Sequence, residues 1–252
     1  LTKIYFRRKI KVLIIKKLAR KKMYKLSPSD FAYLYEDCKL CFWLKIKQGI
    51  MPPPGIFPGV FSSMNTLMQG QMVGKSLKEF GKDLPDIKVV NQEGWVRSEL
   101  VRGTQVYVSG KYDLLCDNGD GTHTVVDLKI SKPEVDKIEK YKTQLGAYKY
   151  ALENAEGQEN IKVSKLALLI FYPESVKFGD VGAIMDFPAK WLEIPIDDKA
   201  FVLFMGEIDR LLAGPAPAES ETCGLCKYRH LGEEITHHIN ANNTNSEEEP
   251  FS

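Results

Sequence analysis

VVDLKISKP, residues 125–133, is the stretch on which the reading of this chain turns. Val125, Val126 and Ile130 give it the composition of a buried strand, yet Asp127 and Lys129 interrupt it two positions apart. Side chains two apart on a strand share a face, so this carboxylate and this ammonium stand side by side at one edge of a sheet. They form either a surface ion pair or a site, and a bare Asp-x-Lys is too common to separate the two. The flanking sequence has to decide.

Upstream, GKYDLLCDNGDGT (110–122) places Asp113 on a strand that turns back into the Asp127 strand. Asp120-Gly121 supplies the positive-φ residue of a hairpin, and the acidic spacing does not match a calcium loop. Strands are expected at 95–101, 105–116 and 122–130. Beyond Pro133, Ile138, Tyr141, Leu145, Tyr148 and Leu152 step by three and four, one face of a helix. Gln144 and Tyr148 are i and i+4 on that helix and point toward the strand ends. KVSKLALLIFYP (162–173) reads as a central strand, KWLEIPID (190–197) as another, and 198–214 as a last helix stopped by Gly214. Near the start, Ser27, Pro28 and Asp30 open a helix to about Lys47. The prolines of MPPPGIFPG (51–59) break it, and a weaker helix capped near Ser62 follows. The pattern predicts an α/β domain, a sheet flanked by helices, with no internal repeat.

The 252 residues are 44% hydrophobic, enough for one sizeable core. The net charge of +2 hides a gradient, because residues 1–22 hold ten Lys or Arg and no acid, whereas 232–252 hold five Glu and no Lys or Arg. The body, 23–231, is left at −3, so nucleic-acid binding there depends on a local patch rather than the overall field. The basic arm 1–22 reads as a surface for nucleic acid or membrane, as a targeting peptide, or as upstream sequence outside the functional unit. Its apolar runs are too short to span a bilayer. The tail 232–252, acidic and Asn-rich, is expected to be disordered.

Asp113 and Asp127 on paired strands repel each other unless a cation lies between them. Hard oxygen ligands of this kind suit Mg²⁺ or Mn²⁺, which activates water and neutralises phosphate charge. The run GKYDLL with Asp113, VVDLK with Asp127 and Lys129, and QLGAY with Gln144 and Tyr148 resembles the PD-(D/E)XK nuclease superfamily. The resemblance is to its RecB-like branch, which includes the CRISPR-associated exonucleases, and it covers most of 23–229. It implies a restriction-endonuclease-like core, a central mixed sheet flanked by helices. It also implies that Asp113, Asp127 and the Leu128 carbonyl hold the metal, with Glu99 as an outer carboxylate. Lys129 would then serve the nucleophilic water, and Gln144 and Tyr148 would support the site or contact the strand being cut. One departure stands out: many RecB-like members carry a histidine on the early helix four residues after a glycine, and here Gly70 is followed by Gly74.

Cys38-x-x-Cys41 and Cys223-x-x-Cys226 read as two halves of a four-cysteine metal centre joining the ends of the domain, while Cys116 stands alone as a buried hydrophobe. Unrelated pairs and a redox dithiol are the alternatives. RecB-like nucleases place cysteines at both ends around a [4Fe-4S] cluster, divided one and three; the two-and-two division here keeps zinc open. Four thiols of this kind imply a reduced, cytoplasmic setting. The expectation is therefore a metal-dependent DNA nuclease, an exonuclease on single strands or ends, working alone or with a helicase, CRISPR or repair partner. The rivals are a binding module of the same fold without catalysis and a structural metal protein.

Overall fold

The computed structural model describes residues 22–53, 55, 58–134 and 136–245. The basic arm expected over 1–22 lies outside them, apart from Lys22. The strands β1 (Tyr24–Leu26), β2 (Lys88–Leu100), β3 (Val106–Asp117), β4 (His123–Ile130) and β5 (Val163–Phe171) build most of one sheet. A separate hairpin, β6 (Ser175–Gly179) and β7 (Gly182–Asp186), follows, and β8 (Ala189–Ile194) completes the sheet. The order is β1-β3-β4-β5-β8, with β2 on the other edge of β3. Pairings β1–β3 and β4–β5 are parallel and the others antiparallel, so the sheet is mixed.

β3 and β4 form the expected hairpin. Asp117 Oδ1 accepts the Gly119 N–H, and Asp120 Oδ1 accepts from the backbone and hydroxyl of Thr122, so both turn carboxylates are engaged locally. β4 is buried on both faces because Val125 and Val126 join different cores. One core lies under α4 (Lys137–Glu153) and α5 (Asp198–Ala213), where Leu145, Tyr148 and Leu152 meet Phe201, Met205 and Ile208. The other is covered by the end of α3 (Gly59–Met72), through Met72, against Leu114, Leu128 and Leu169. Each fully buried aliphatic side chain contributes about 1.5–3 kcal/mol over its exposed state.

Several boundaries differ from expectation. The helix from Ser27 is broken: α1 (Pro28–Asp30) runs into a π turn at Phe31–Tyr35, and a second piece, α2 (Lys39–Trp43), continues as a π turn to Gln48. Cys38, at the break, is extended with φ −160° and ψ 112°, which lets its sulfur leave the helix line. α3 starts at Gly59 directly behind Pro58, since proline suits a helix entry. β2 begins seven residues earlier than Trp95, at Lys88. Gly214 ends α5, but with extended φ −83° and ψ −178° rather than left-handed geometry. The tail is corrected most: α6 (Gly224–Asn245) carries helix through much of the segment expected to be disordered, because the helix that starts at the second cysteine pair meets no proline before Asn245. No described helix is long and apolar enough to cross a membrane.

Candidate active site

The site follows from an incomplete sheet edge. β2 pairs with β3 along nearly its whole length, so β1 and β4 must share the opposite edge of β3. β1 takes Val106–Val108 and β4 takes Leu114–Asp117, leaving residues 109–113 without a strand partner on that side. Beyond Val126, β4 leans away and pairs only with β5. Asp113 stands at the fork. Its Oδ2 accepts the Leu128 backbone N–H at 2.8 Å, taking the place of a ladder partner.

Asp127, which is 4% exposed, projects toward α4, where Gln144 Nε2 donates to its Oδ1 at 3.0 Å and Lys129 Nζ lies 2.6 Å from Oδ2. The period-2 reading of VVDLK therefore holds: Asp127 and Lys129 share a face. Burial pushes the Asp113 carboxyl up to about 7, the Asp127 charge pushes the same way, and Lys129 with the Leu128 N–H opposes them. Burial also raises Asp127 against the pull of Lys129. For Lys129, burial acts to lower the pKa, but the charges of Asp127 and Asp113 outweigh it and hold the ammonium protonated. One lysine thus faces two carboxylates, an arrangement electrostatically short of positive charge.

Tyr148 donates its hydroxyl to the Lys111 carbonyl at 2.7 Å, within the uncovered stretch of β3. That hydroxyl ties α4 to the sheet. Glu99 is not brought to this group: it is exposed, its backbone N–H bonds the Asn154 carbonyl, and its charge bears on Tyr150. Glu93 occupies the place expected of it. The registers Gln92↔Leu114 and Gly94↔Tyr112 set Glu93 opposite Asp113, its charge raises the Asp113 pKa, and it forms an ion pair with Lys111. Glu93 has φ +50°, the one positive value among described non-glycine residues, and such conformations gather at functional sites. The Glu-Gly step within a strand was the available signal, since a glycine inside a strand marks a bulge or a close approach. Gly94 is such an approach, because a Cβ there would lie 2.1 Å from the Tyr112 hydroxyl.

Glu93, Lys111, Asp113, Leu128 and Lys129 line a cavity of about 550 Å³ with Tyr33, Tyr141 and Ser131, and α3 forms its other wall through Ser62, Asn65 and Thr66; Asp127, Gln144 and Tyr148 are not among the lining residues. Gly74, where a histidine was sought, lies past the end of α3 in a turn with φ +83° and is not among the lining residues.

The four cysteines converge. The Sγ atoms of Cys38, Cys41, Cys223 and Cys226 all lie within 4.8 Å of one another, with Cys41–Cys226 at 3.6 Å, Cys41–Cys223 at 3.8 Å and Cys38–Cys226 at 3.9 Å. In each pair the first cysteine precedes a helix and the second lies in its first turn, where burial pushes the Cys41 thiol up to about 11 and raises that of Cys226 as well. The Ser220 N–H reaches Cys38 Sγ at 3.5 Å; burial raises this thiol, but that bond and those from the neighbouring cysteines bring it down to about 7. Cys116 stands apart, buried in the sheet, and its thiol is pushed up to about 12 by burial.

No curated protein matches the chain. Solved structures that are similar to it at low identity include these two. The crystal structure of SSO0001 is 16% identical, with 84% of this chain and 90% of that chain covered and a TM-score of 0.45. The alkaline exonuclease LHK-Exo from Laribacter hongkongensis is 9% identical, with 84% and 94% covered and a TM-score of 0.40. The family model for the PD-(D/E)XK nuclease superfamily matches residues 72–231, a span that takes in the forked strands, the Gln144 helix and the second cysteine pair. By that match the chain belongs to the PD-(D/E)XK nuclease superfamily.

Proposed function

We propose that this protein is a divalent-metal-dependent DNA nuclease that cuts single strands or strand ends. The observation that carries the reading is the fork between β3 and β4, where Asp113, Leu128 and Lys129 line one polar cavity and Asp127 lies buried against Lys129. The donor set suits a hard cation, since two carboxylates share the fork with only one lysine charge. Asp113, Asp127 and the Leu128 carbonyl would hold it, and Mg²⁺ or Mn²⁺ bound there supplies phosphate neutralisation and a more acidic water.

The chain's own groups do the rest. Lys129 keeps its proton and presents an ammonium to the attacking water and to the negative charge growing on the phosphate. Gln144 fixes the Asp127 carboxylate through Oδ1, as outer hydrogen bonds do around metal ligands. Tyr148 acts through the backbone of Lys111, holding β3 at the fork. Glu93, beside Asp113, replaces Glu99 as the outer carboxylate.

The cysteine cluster supports a single zinc ion. Four thiolates at about 2.3 Å around one ion stand roughly 3.8 Å apart, which is the spacing of the three close sulfur pairs here. A four-iron cluster, with one thiolate per iron, spreads its sulfurs wider. The functional unit then runs from Met23 through the second cysteine pair, its ends clasped by the metal.

The test is cleavage of end-labelled single- and double-stranded DNA with Mg²⁺ or Mn²⁺ by the wild type, Asp127→Ala and Lys129→Ala. Cleavage lost in both variants supports the assignment. Unchanged cleavage by Asp127→Ala would overturn it, and salt-sensitive binding without turnover by the wild type would favour a binding module.

A further inference from the structure

The outer wall of the cavity carries an aromatic group for which the hydrolytic chemistry has no use. Tyr33 lies in the π turn Phe31–Tyr35, where Phe31, Ala32 and Tyr35 are buried and Tyr33 is 46% exposed. Its neighbours anchor the backbone while its ring stands at the mouth of the cavity. The Tyr33 hydroxyl is 2.6 Å from that of Tyr141, and the two rings meet edge to face with centroids 6.0 Å apart. Tyr141 is buried, so its ring, packed edge to face against Tyr33, fixes the direction of the exposed ring. Two cations lie over the rings: Lys140 Nζ covers one face of Tyr33, 4.7 Å from its centre and leaving the other for a base, and Lys129 Nζ lies 4.8 Å from the centre of Tyr141.

The facing wall is uncharged and able to hydrogen-bond. Ser62, Asn65 and Thr66 project from α3, and Ser131 follows the Lys129 strand. Asn65 Oδ1 and Ser131 Oγ are buried without a hydrogen-bond partner among the described residues, although such atoms are normally satisfied. An exposed aromatic face, adjacent ammonium groups and unsatisfied polar atoms across a cleft are the three things a nucleotide uses: stacking for its base, charge for its phosphate and hydrogen bonds for its polar edges.

We infer that Tyr33 is the stacking platform for an unpaired base next to the scissile phosphate, with Tyr141 as its positioning residue. This rests on the nuclease reading and narrows it to single-stranded substrate at the cut, because a base inside a duplex is already stacked on its neighbours and cannot lie on the ring. A tethered base also sets which phosphate reaches Asp127 and Lys129.

The experiment uses the full chain and short single-stranded DNA carrying 2-aminopurine at successive positions, with no Mg²⁺ or Mn²⁺ added so that nothing is cut. Wild type and Tyr33→Phe, which keep the ring, are expected to quench one position strongly and to bind alike. Tyr33→Leu is expected to lose that quench and to bind about tenfold more weakly or worse, at an unchanged melting temperature. Equal quench and affinity in Tyr33→Leu would overturn the inference, as would a loss in Tyr33→Phe as large as that in Tyr33→Leu, which would assign the effect to the hydroxyl. Absence of position-dependent quenching in the wild type would overturn it too. The nuclease reading fails separately: a protein that quenches through Tyr33 but cleaves nothing with Mg²⁺ or Mn²⁺ keeps this inference, and one that cleaves with Tyr33→Leu unaltered loses it alone.

Discussion

The carboxylate of Asp113, on β3, receives the backbone N–H of Leu128, on β4, at 2.8 Å, where the two strands have stopped pairing. A side chain there does the work of a strand, and its ionisation is coupled to the stability of the fork. In the metal-free protein the Asp113 pKa is raised to about 7, mainly by burial and then by Asp127. The folded state therefore holds this proton more tightly than the unfolded chain, whose aspartate titrates near 4. The resulting stability is fully present below about pH 4 and is lost as pH rises toward 7. With no Mg²⁺ or Mn²⁺ added, wild-type melting temperature is expected to fall across that window for this reason. Asp113→Asn, which cannot ionise, is expected to flatten the decline and to melt higher than wild type at pH 8 while losing cleavage. Parallel melting curves from pH 4 to 8 for the two proteins would contradict this.

Gln144 tests the outer support of Asp127. Gln144→Met removes the donor to Oδ1 and keeps the side-chain volume. Loss of such a bond typically costs about 10–100-fold in metal affinity or activity. The expected outcome is a Mg²⁺ or Mn²⁺ requirement shifted upward by at least about tenfold, with cleavage partly recovered at high metal. A metal titration of the cleavage rate decides it, and an unmoved midpoint would mean that Asp127 needs no help.

At Gly94 the prediction concerns shape rather than charge. A methyl group there would collide with the Tyr112 hydroxyl, which receives a hydrogen bond from Asn91 Nδ2 at 3.0 Å. Gly94→Ala is expected to destabilise by about 1–3 kcal/mol, the usual range for overpacking, and to lower activity because Asp113 adjoins Tyr112. Pairing it with Tyr112→Phe, which removes the clashing oxygen, should recover part of the loss in urea denaturation.

For the cysteine cluster, about one zinc per chain is expected from elemental analysis of the purified protein. Cys226→Ser and Cys41→Ser should each abolish that content and lower the melting temperature, whereas Cys116→Ser should leave the metal unchanged. A strong chelator should lower the melting temperature of wild type and of Cys116→Ser alike. Iron and sulfide at four each per chain would replace zinc with a cluster.

Much of this site was readable from spacing. The shared face of Asp127 and Lys129 follows from the two-residue period of a strand, and the approach of Asp113 from the hairpin turn at Asp120-Gly121. Gln144 was legible because a helix returns its side chains every three or four residues. Glu93 was hidden by the strand it lies on. A regular strand from Trp95 leaves Glu99 as the nearest acid, whereas β2 starts at Lys88 and is kinked at Glu93 by a left-handed residue, an irregularity that local propensity does not report. Tyr33 was read only as part of a helix, since its link to Tyr141 joins residues 108 apart. The β6–β7 hairpin escaped because all ten of its strand residues are exposed, so no buried alternation marks it.

The uncovered stretch of β3 has a meaning for solubility as well. An open strand edge invites pairing with a strand from another molecule, the first step toward aggregation. Here Tyr148 occupies the Lys111 carbonyl, and Asp113 puts a buried acid at the end of the gap. Pro28 and Tyr148 also lie against Gly110, so the gap in the ladder is covered from within the molecule rather than left for a neighbour. A substitution that removes Tyr148 therefore strips both the cover of this gap and the bond to the Lys111 carbonyl.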